Sequence, residues 1–330
     1  MPGPFATSEA ENYLGIGRQT VKGTGVAPAF WPAFHDDVDL SHGQEISGLM
    51  EAGGSGSITL SEKLGHMASG GFQFRARPSI AARLTAYMLG ADSVSGVGPF
   101  DHVLTHDLVT DYLTIEQNLS DEGIERFIDS VISELTYEVD NESTHIVRVS
   151  GRWLAGSPNF QATPTTESYD AETPFVLRDG IFTLNGSGAT NVQKLSITAT
   201  MRYKVEKVAD VVPLYLIKIG LDVTGSITQL MLDWSTEYRL VNYGSITGTV
   251  PLKSPTPGAL IADFAYGAGA SARALKLEVP NLDWLDAVYT PLNPNGDSVK
   301  VVRTFHGRAV SATPIWRVTA KTNDSANYLI

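Results

Sequence analysis

From Leu195 to Val205 the chain reads LSITATMRYKV, with an apolar residue at every second position and β-branched or polar residues between. Period-two alternation gives an extended chain one apolar and one polar face. It does not suit a helix, whose apolar positions recur every three to four residues. The signal returns along the chain. Val211–Thr228 continues it, with Pro213 suggesting an edge or a bulge. Glu134–Leu154 reads as a hairpin with Asp140–Ser143 as its turn. Ser298–Val310 and Thr313–Thr322 read as a further strand pair. A mainly β fold is expected.

Helices are few. Pro78–Gly90 (PSIAARLTAYMLG) opens on Pro, closes on Gly and carries an apolar stripe at Ile80, Leu84, Tyr87 and Met88. Ser235–Gly244 is a second helix, with Ser235 as N-cap and Gly244 beyond its end. For Ser120–Ile132 helix and strand readings compete. Each half of the chain shows a strand entering a short helix, then a strand pair some forty residues on. The expected fold is a duplicated β-sandwich or barrel domain, one short α-helix per copy, preceded by an extended N-terminal arm. The expected divisions are an arm and first strand region at 1–45, a first β-domain at 46–160, a linker at 161–175 and a second β-domain at 176–330. A long loop is expected at 248–272.

Charge limits the partners. Residues 1–165 carry 21 acidic and 9 basic side chains, whereas residues 166–330 carry 15 of each. A protein that grips nucleic acid shows a basic face, so that class is disfavoured. The chain contains no cysteine, which excludes disulfides, thiolate metal sites and a cysteine nucleophile. No apolar run reaches the length of a membrane-spanning helix. The start MPGPFATSEAENY lacks a signal-peptide pattern and reads as cytosolic.

Chemical motifs are weak. Tyr13–Pro32 (YLGIGRQTVKGTGVAPAFWP) holds two Gly-x-Gly pairs but completes neither the dinucleotide fingerprint nor a P-loop. Tyr266–Ala272 matches Gly-x-Gly-x-x-Ala formally, yet leads into a strand where a pyrophosphate site needs a helix N-terminus. His102 and His106 on an extended strand would stand roughly 13 Å apart, too far to share a metal. His35–Asp39 (HDDVD) reads as a solvated acidic loop. No catalytic constellation, cofactor or metal is expected. One alternative is a carbohydrate- or cell-surface-binding β-sandwich using an aromatic platform at Trp284–Tyr289.

The opening stretch carries a resemblance. Leu14-Gly-Ile-Gly-Arg18, Lys22-Gly-Thr24, Ala27-Pro28 and Phe30-Trp-Pro32 resemble the start of tail tube proteins of long-tailed bacteriophages. The helix at Pro78–Ala81 and the run Val223-Thr-Gly-Ser-Ile227 follow in the family's order. The resemblance implies a structural virion protein, not an enzyme, assembled in the host cytoplasm and resident in the tail. It implies self-association into stacked rings, with tape-measure, terminator and distal tail proteins as partners and DNA passing through the lumen. It favours a non-contractile tail. Two domains per chain would make a six-unit ring from three chains, a hexamer of chains being the alternative. Gly15, Gly17, Phe30, Trp31, Pro32, Lys253 and Pro255 are the expected assembly contacts between rings, and the acidic excess is expected partly on the lumen wall.

Overall fold

A computed structural model describes residues 13–32, 39–49, 60–118, 123–143, 145–161, 163, 165–206, 215–290 and 298–330. The first half contributes β1 (Leu14–Arg18), β2 (Asp39–Leu49), β3 (Leu60–Arg75), α1 (Pro78–Leu89), β4 (Gly90–Ser95), β5 (Phe100–His106), β6 (Leu113–Asn118), β7 (Ile124–Asp140), β8 (Arg148–Ala155) and β9 (Ser157–Gln161). The second contributes β10 (Gly180–Leu184), β11 (Ser187–Ala189), β12 (Val192–Glu206) and β13 (Tyr215–Leu230). A π-helical turn at Ser235–Arg239 then runs into α2 (Leu240–Tyr243). It is followed by β14 (Thr256–Tyr266), β15 (Arg273–Tyr289), β16 (Lys300–Gly307) and β17 (Arg317–Thr322).

The pairing scheme occurs twice. In the first half β2 pairs β3, β3 pairs β8 and β8 pairs β7, while β1 pairs β6 and β6 and β9 flank the start of β7. In the second, β12 pairs β13, β13 pairs β16 and β16 pairs β15, while β10 pairs β14 and β14 and β17 flank the start of β15. Every one of these pairs is antiparallel. Three of the irregularities repeat as well. Register shifts fall at Glu45/Ile46 and Arg202/Tyr203, at Leu113/Ile115 and Gly258/Leu260, and at Ile132/Glu134 and Trp284/Asp286. The last two pairs of shifts let β7 and β15 bend from one sheet into another, because an extra residue kinks a strand and sharpens its twist.

Two ladders join the halves, β5 with β17 and β7 with β12, and the second makes the long sheet. β7 pairs β12 from Glu134↔Thr200 to Asp140↔Lys194, so the order β2-β3-β8-β7-β12-β13-β16-β15 is continuous. Burial alternates along it: Leu135, Tyr137 and Val139 of β7 face Leu195, Ile197 and Ala199 of β12 in the core. Outside the repeat, the hairpin β4–β5 adds to the outer edge of β17. It is clasped there by His102, whose Nδ1 lies 3.1 Å from Asp92 and whose Nε2 lies 2.8 Å from the Asp324 carbonyl. Burial pulls the His102 pKa down, but these two acceptors outweigh it and the net shift is upward.

The hairpin at Glu134–Leu154 and the helix at Pro78 form as the sequence predicts. Pro78 opens α1 and Gly90 ends it at φ 93. Several expectations need correction. Ser120–Ile132 is strand from Ile124 onward; residues 119–122 lie outside the described set, as do Val211–Leu214 and most of His35–Asp39. The cap of the second helical segment is Asp233 rather than Ser235: its carboxylate accepts from the Ser235 N–H at 2.9 Å, while Glu237 reaches back to the Leu232 N–H at 2.8 Å. β16 and β17 pair β15 rather than each other. The expected loop at 248–272 contains β14, whose Leu260, Ala262 and Phe264 are fully buried. Over its described part the N-terminal arm is no strap: β1 is a sheet strand, and the Ile16 N–H donates to the Phe30 carbonyl at 3.0 Å, folding the stretch back on itself.

Candidate functional site

The long sheet has one face on the core and one on solvent. Its solvent face is built from the alternate positions of each strand: Glu134, Thr136, Glu138 and Asp140 on β7, then Lys194, Ser196, Thr198, Thr200 and Arg202 on β12. Asp222, Thr224, Ser226 and Thr228 continue it on β13. On β8, Arg148, Ser150 and Arg152 occupy the same face. The surface is therefore rich in hydroxyls, and most of its charges are matched.

Lys194 lies 2.7 Å from Glu138 and 3.2 Å from Asp140. Its hydrogen bond to Glu138 is the main reason its pKa rises. Asp222 accepts from His306 and from Arg202 at 2.9 Å, and the His306 bond chiefly holds its carboxyl below the usual range. Arg152 faces Glu134 at 3.8 Å, and Thr136 Oγ1 and Thr198 Oγ1 meet at 2.9 Å across the joint between the halves. A surface of this kind can hydrate and slide past a polyanion, but it offers few unmatched cations to hold one. Three acidic residues of the first half, Glu134, Glu138 and Asp140, lie on this face, where Lys194, Arg148 and Arg152 offset them. Among the described residues no cluster of His, Asp and Glu could hold a metal ion, and no helix is long and apolar enough to cross a membrane.

Gly15, Gly17, Phe30, Trp31 and Pro32 are brought together, inside the fold. A side chain on Gly15 would collide with the Pro28 ring, and one on Gly17 with Val26 and the Ala27 carbonyl. These glycines serve close packing of a strand against its own return. Phe30 and Trp31 are buried, and Arg83 of α1 sits 5.3 Å above the Phe30 ring. Next to them lies a charged cluster the sequence reading missed. Glu116 of β6 is fully buried and accepts from the Tyr13 hydroxyl at 2.5 Å, the Arg126 guanidinium at 2.6 Å and the Thr165 hydroxyl at 3.0 Å. Burial, then the bond to Glu116, pushes the Tyr13 pKa strongly upward.

Lys253 and Pro255 lie elsewhere, exposed on the loop before β14. They border a cleft of about 510 Å³ together with Tyr238, Asn242, Leu252 and the end of β15. Beside it Trp234, Tyr238 and Tyr289 form edge-on aromatic contacts with centroids 5.1 to 5.5 Å apart. Trp234 is 45% exposed, while Trp31, Trp153, Trp284 and Trp316 are buried. The aromatic platform expected at Trp284–Tyr289 is thus corrected: Trp284 packs against Phe305 in the core, and only Tyr289 of the pair reaches the surface.

Compared with known proteins, the chain matches a family model described as phage tail tube protein over residues 9–309. No curated protein matches it.

Proposed function

The chain belongs to the phage tail tube protein family, a structural family of the virion tail rather than an enzyme class, and from that premise we propose how it builds the tube. Chains close into rings, rings stack head to tail, and the hydroxyl-rich face of the long sheet lines the channel through which DNA passes. Each chain supplies two equivalent β-units, so three chains make a pseudo-sixfold ring. The observation that carries this reading is the repeated pairing scheme with its repeated register shifts. Two units joined edge to edge by β7 and β12 already form one third of such a ring. Closure removes the sheet edges that would otherwise recruit other chains, and the non-closing contact between rings yields a filament.

The matched charges of the sheet face fit passage without binding. Six to ten unopposed phosphate contacts change affinity by about 10³–10⁵ over a modest salt range. Repeated ring after ring, contacts of that kind would arrest the genome. Tape-measure, terminator and distal tail proteins are the remaining partners in this reading, with assembly in the host cytoplasm.

Negative-stain microscopy of the concentrated protein tests the reading. Hollow tubes or rings are expected. Monodisperse single chains at every concentration would overturn it, and retention on a glycan array would favour a surface-binding sandwich instead.

A further inference from the structure

The joint inside the chain is a template for the joint between chains. Among the described residues β2 pairs only β3, and no strand lies along β15 beyond Trp284 on the side away from β16. These are the two ends of the long sheet. The repeated register shifts align β15 with β7 and β2 with β12 residue by residue. Val288 then takes the place of Thr136, and Ser41 that of Thr198.

We propose, on the ring reading above, that the free edge of β15 pairs antiparallel with β2 of a second copy, Val288 opposite Ser41. The ladder runs from Asp286 opposite Gly43 to Thr290 opposite Asp39, and carries the sheet from chain to chain.

The helices support the same joint independently. α1 buries ten of its twelve residues, because it is packed between its own half and β17 of the second half. The second helical segment occupies the equivalent place but buries only Glu237 and Val241. Its uncovered side carries Trp234, and Tyr289, the counterpart of the core residue Tyr137, stands 39% exposed against it. By the repeat, the next chain's first half covers this patch as the second half covers α1. Lys253 and Pro255 then contribute to a contact within a ring rather than between rings.

The free edge is occupied in a single chain by Asn242. Its Nδ2 donates to the Ala287 carbonyl at 2.8 Å, and its Oδ1 accepts from the Ala287 N–H at 3.2 Å. A side-chain amide thus imitates a partner strand at one residue, a guard of the kind that keeps sheet edges from random pairing. The incoming β2 takes its place.

The absence of cysteine makes the test clean. Residue 288 sits at a position whose backbone groups point to β16, as the neighbouring Thr290 N–H does in donating to the Lys300 carbonyl at 2.8 Å. Pairing there brings opposed Cα atoms to about 4.5 Å, within disulfide reach. Val288→Cys combined with Ser41→Cys, oxidised after assembly, is expected to give covalent dimers and trimers on non-reducing gels. Val288→Cys with Ser47→Cys, six residues out of register, is expected to give none. Tubes that form without the Val288–Ser41 cross-link, or that cross-link equally out of register, overturn this pairing and leave the ring reading intact. Wild-type protein that forms no ring or tube overturns both.

Discussion

Arg126→Met is expected to destabilise the chain by about 3–5 kcal/mol, because it strands a carboxylate in the core. Glu116 has no exposed surface, and its three donors are Tyr13 in front of β1, Arg126 on β7 and Thr165 beyond β9. Three separate segments of the first unit thus meet on one charge. Removing the cation leaves the hydroxyls in place but takes away the group that offsets desolvation of the carboxylate. Denaturant unfolding of the wild type, Arg126→Met and the double variant Glu116→Gln/Arg126→Met checks this. The double variant should recover much of the loss, since a neutral amide can still accept from Tyr13 and Thr165. Equal stability of Arg126→Met and wild type would mean that the cluster is hydrated in solution.

Gly225→Val is expected to cost about 3 kcal/mol, the upper end of what overpacking a core usually costs. Gly225 on β13 lies opposite Phe305 on β16, and a Cβ there would collide with the Phe305 ring and the Ser196 carbonyl. In the first unit the repeat places Gly70 of β3 opposite Trp153 of β8, and a second such pair follows it, Gly151 on β8 beneath Phe72 on β3. An aromatic ring covering a glycine on the neighbouring strand fills the space of the missing side chain and pins the register. The control is on the same strand. Gly220 has open space where its Cβ would be, so Gly220→Val should shift the unfolding midpoint little. If the two substitutions behave alike, strand propensity rather than the aromatic lid governs β13.

How much of this was legible in the sequence depended on where each strand sits. β12 was readable from Leu195 to Met201, where core and solvent positions alternate. Along β13 the shift opposite Arg202 and Tyr203 moves the buried side to the other parity, leaving Ile217 and Ile219 exposed and Lys218 buried. The start of β7 was ambiguous for a physical reason. Ile124, Phe127, Ser130 and Val131 are its buried positions, a three-residue spacing imposed by the register shift opposite Leu113 and Ile115. A bulged strand thus imitates a helix in its hydrophobic pattern. β14 was hidden behind Thr256-Pro257-Gly258, which reads as turn chemistry although Leu260, Ala262 and Phe264 alternate cleanly after it. The Gly-x-Gly pairs near the start suggested freedom, whereas Gly15 and Gly17 answer to crowding by Pro28, Trp31, Val26 and Ala27. Which glycines are crowded depends on a chain reversal that no local pattern announces.

The candidate surface was legible only in part. Alternation identifies Thr136, Glu138, Ser196 and Thr198 as one solvent face, but the matching of Lys194 to Glu138 and of Arg202 to Asp222 needs the register between strands. The repeat itself was visible as an order of elements and invisible as residue identity. Its proof lies in backbone pairing, where the same shifts recur although the side chains around them differ.

The central proposal is a chain of two equivalent units of a ring. The most direct measurement is the symmetry and mass of one assembled ring, by end-on averaging of tubes together with native mass of rings released from them. Six similar densities around the axis, arising from three 35.5 kDa chains with one unbroken sheet around the channel, are the expected result. Six chains in the ring, or a sheet interrupted between chains, would contradict it.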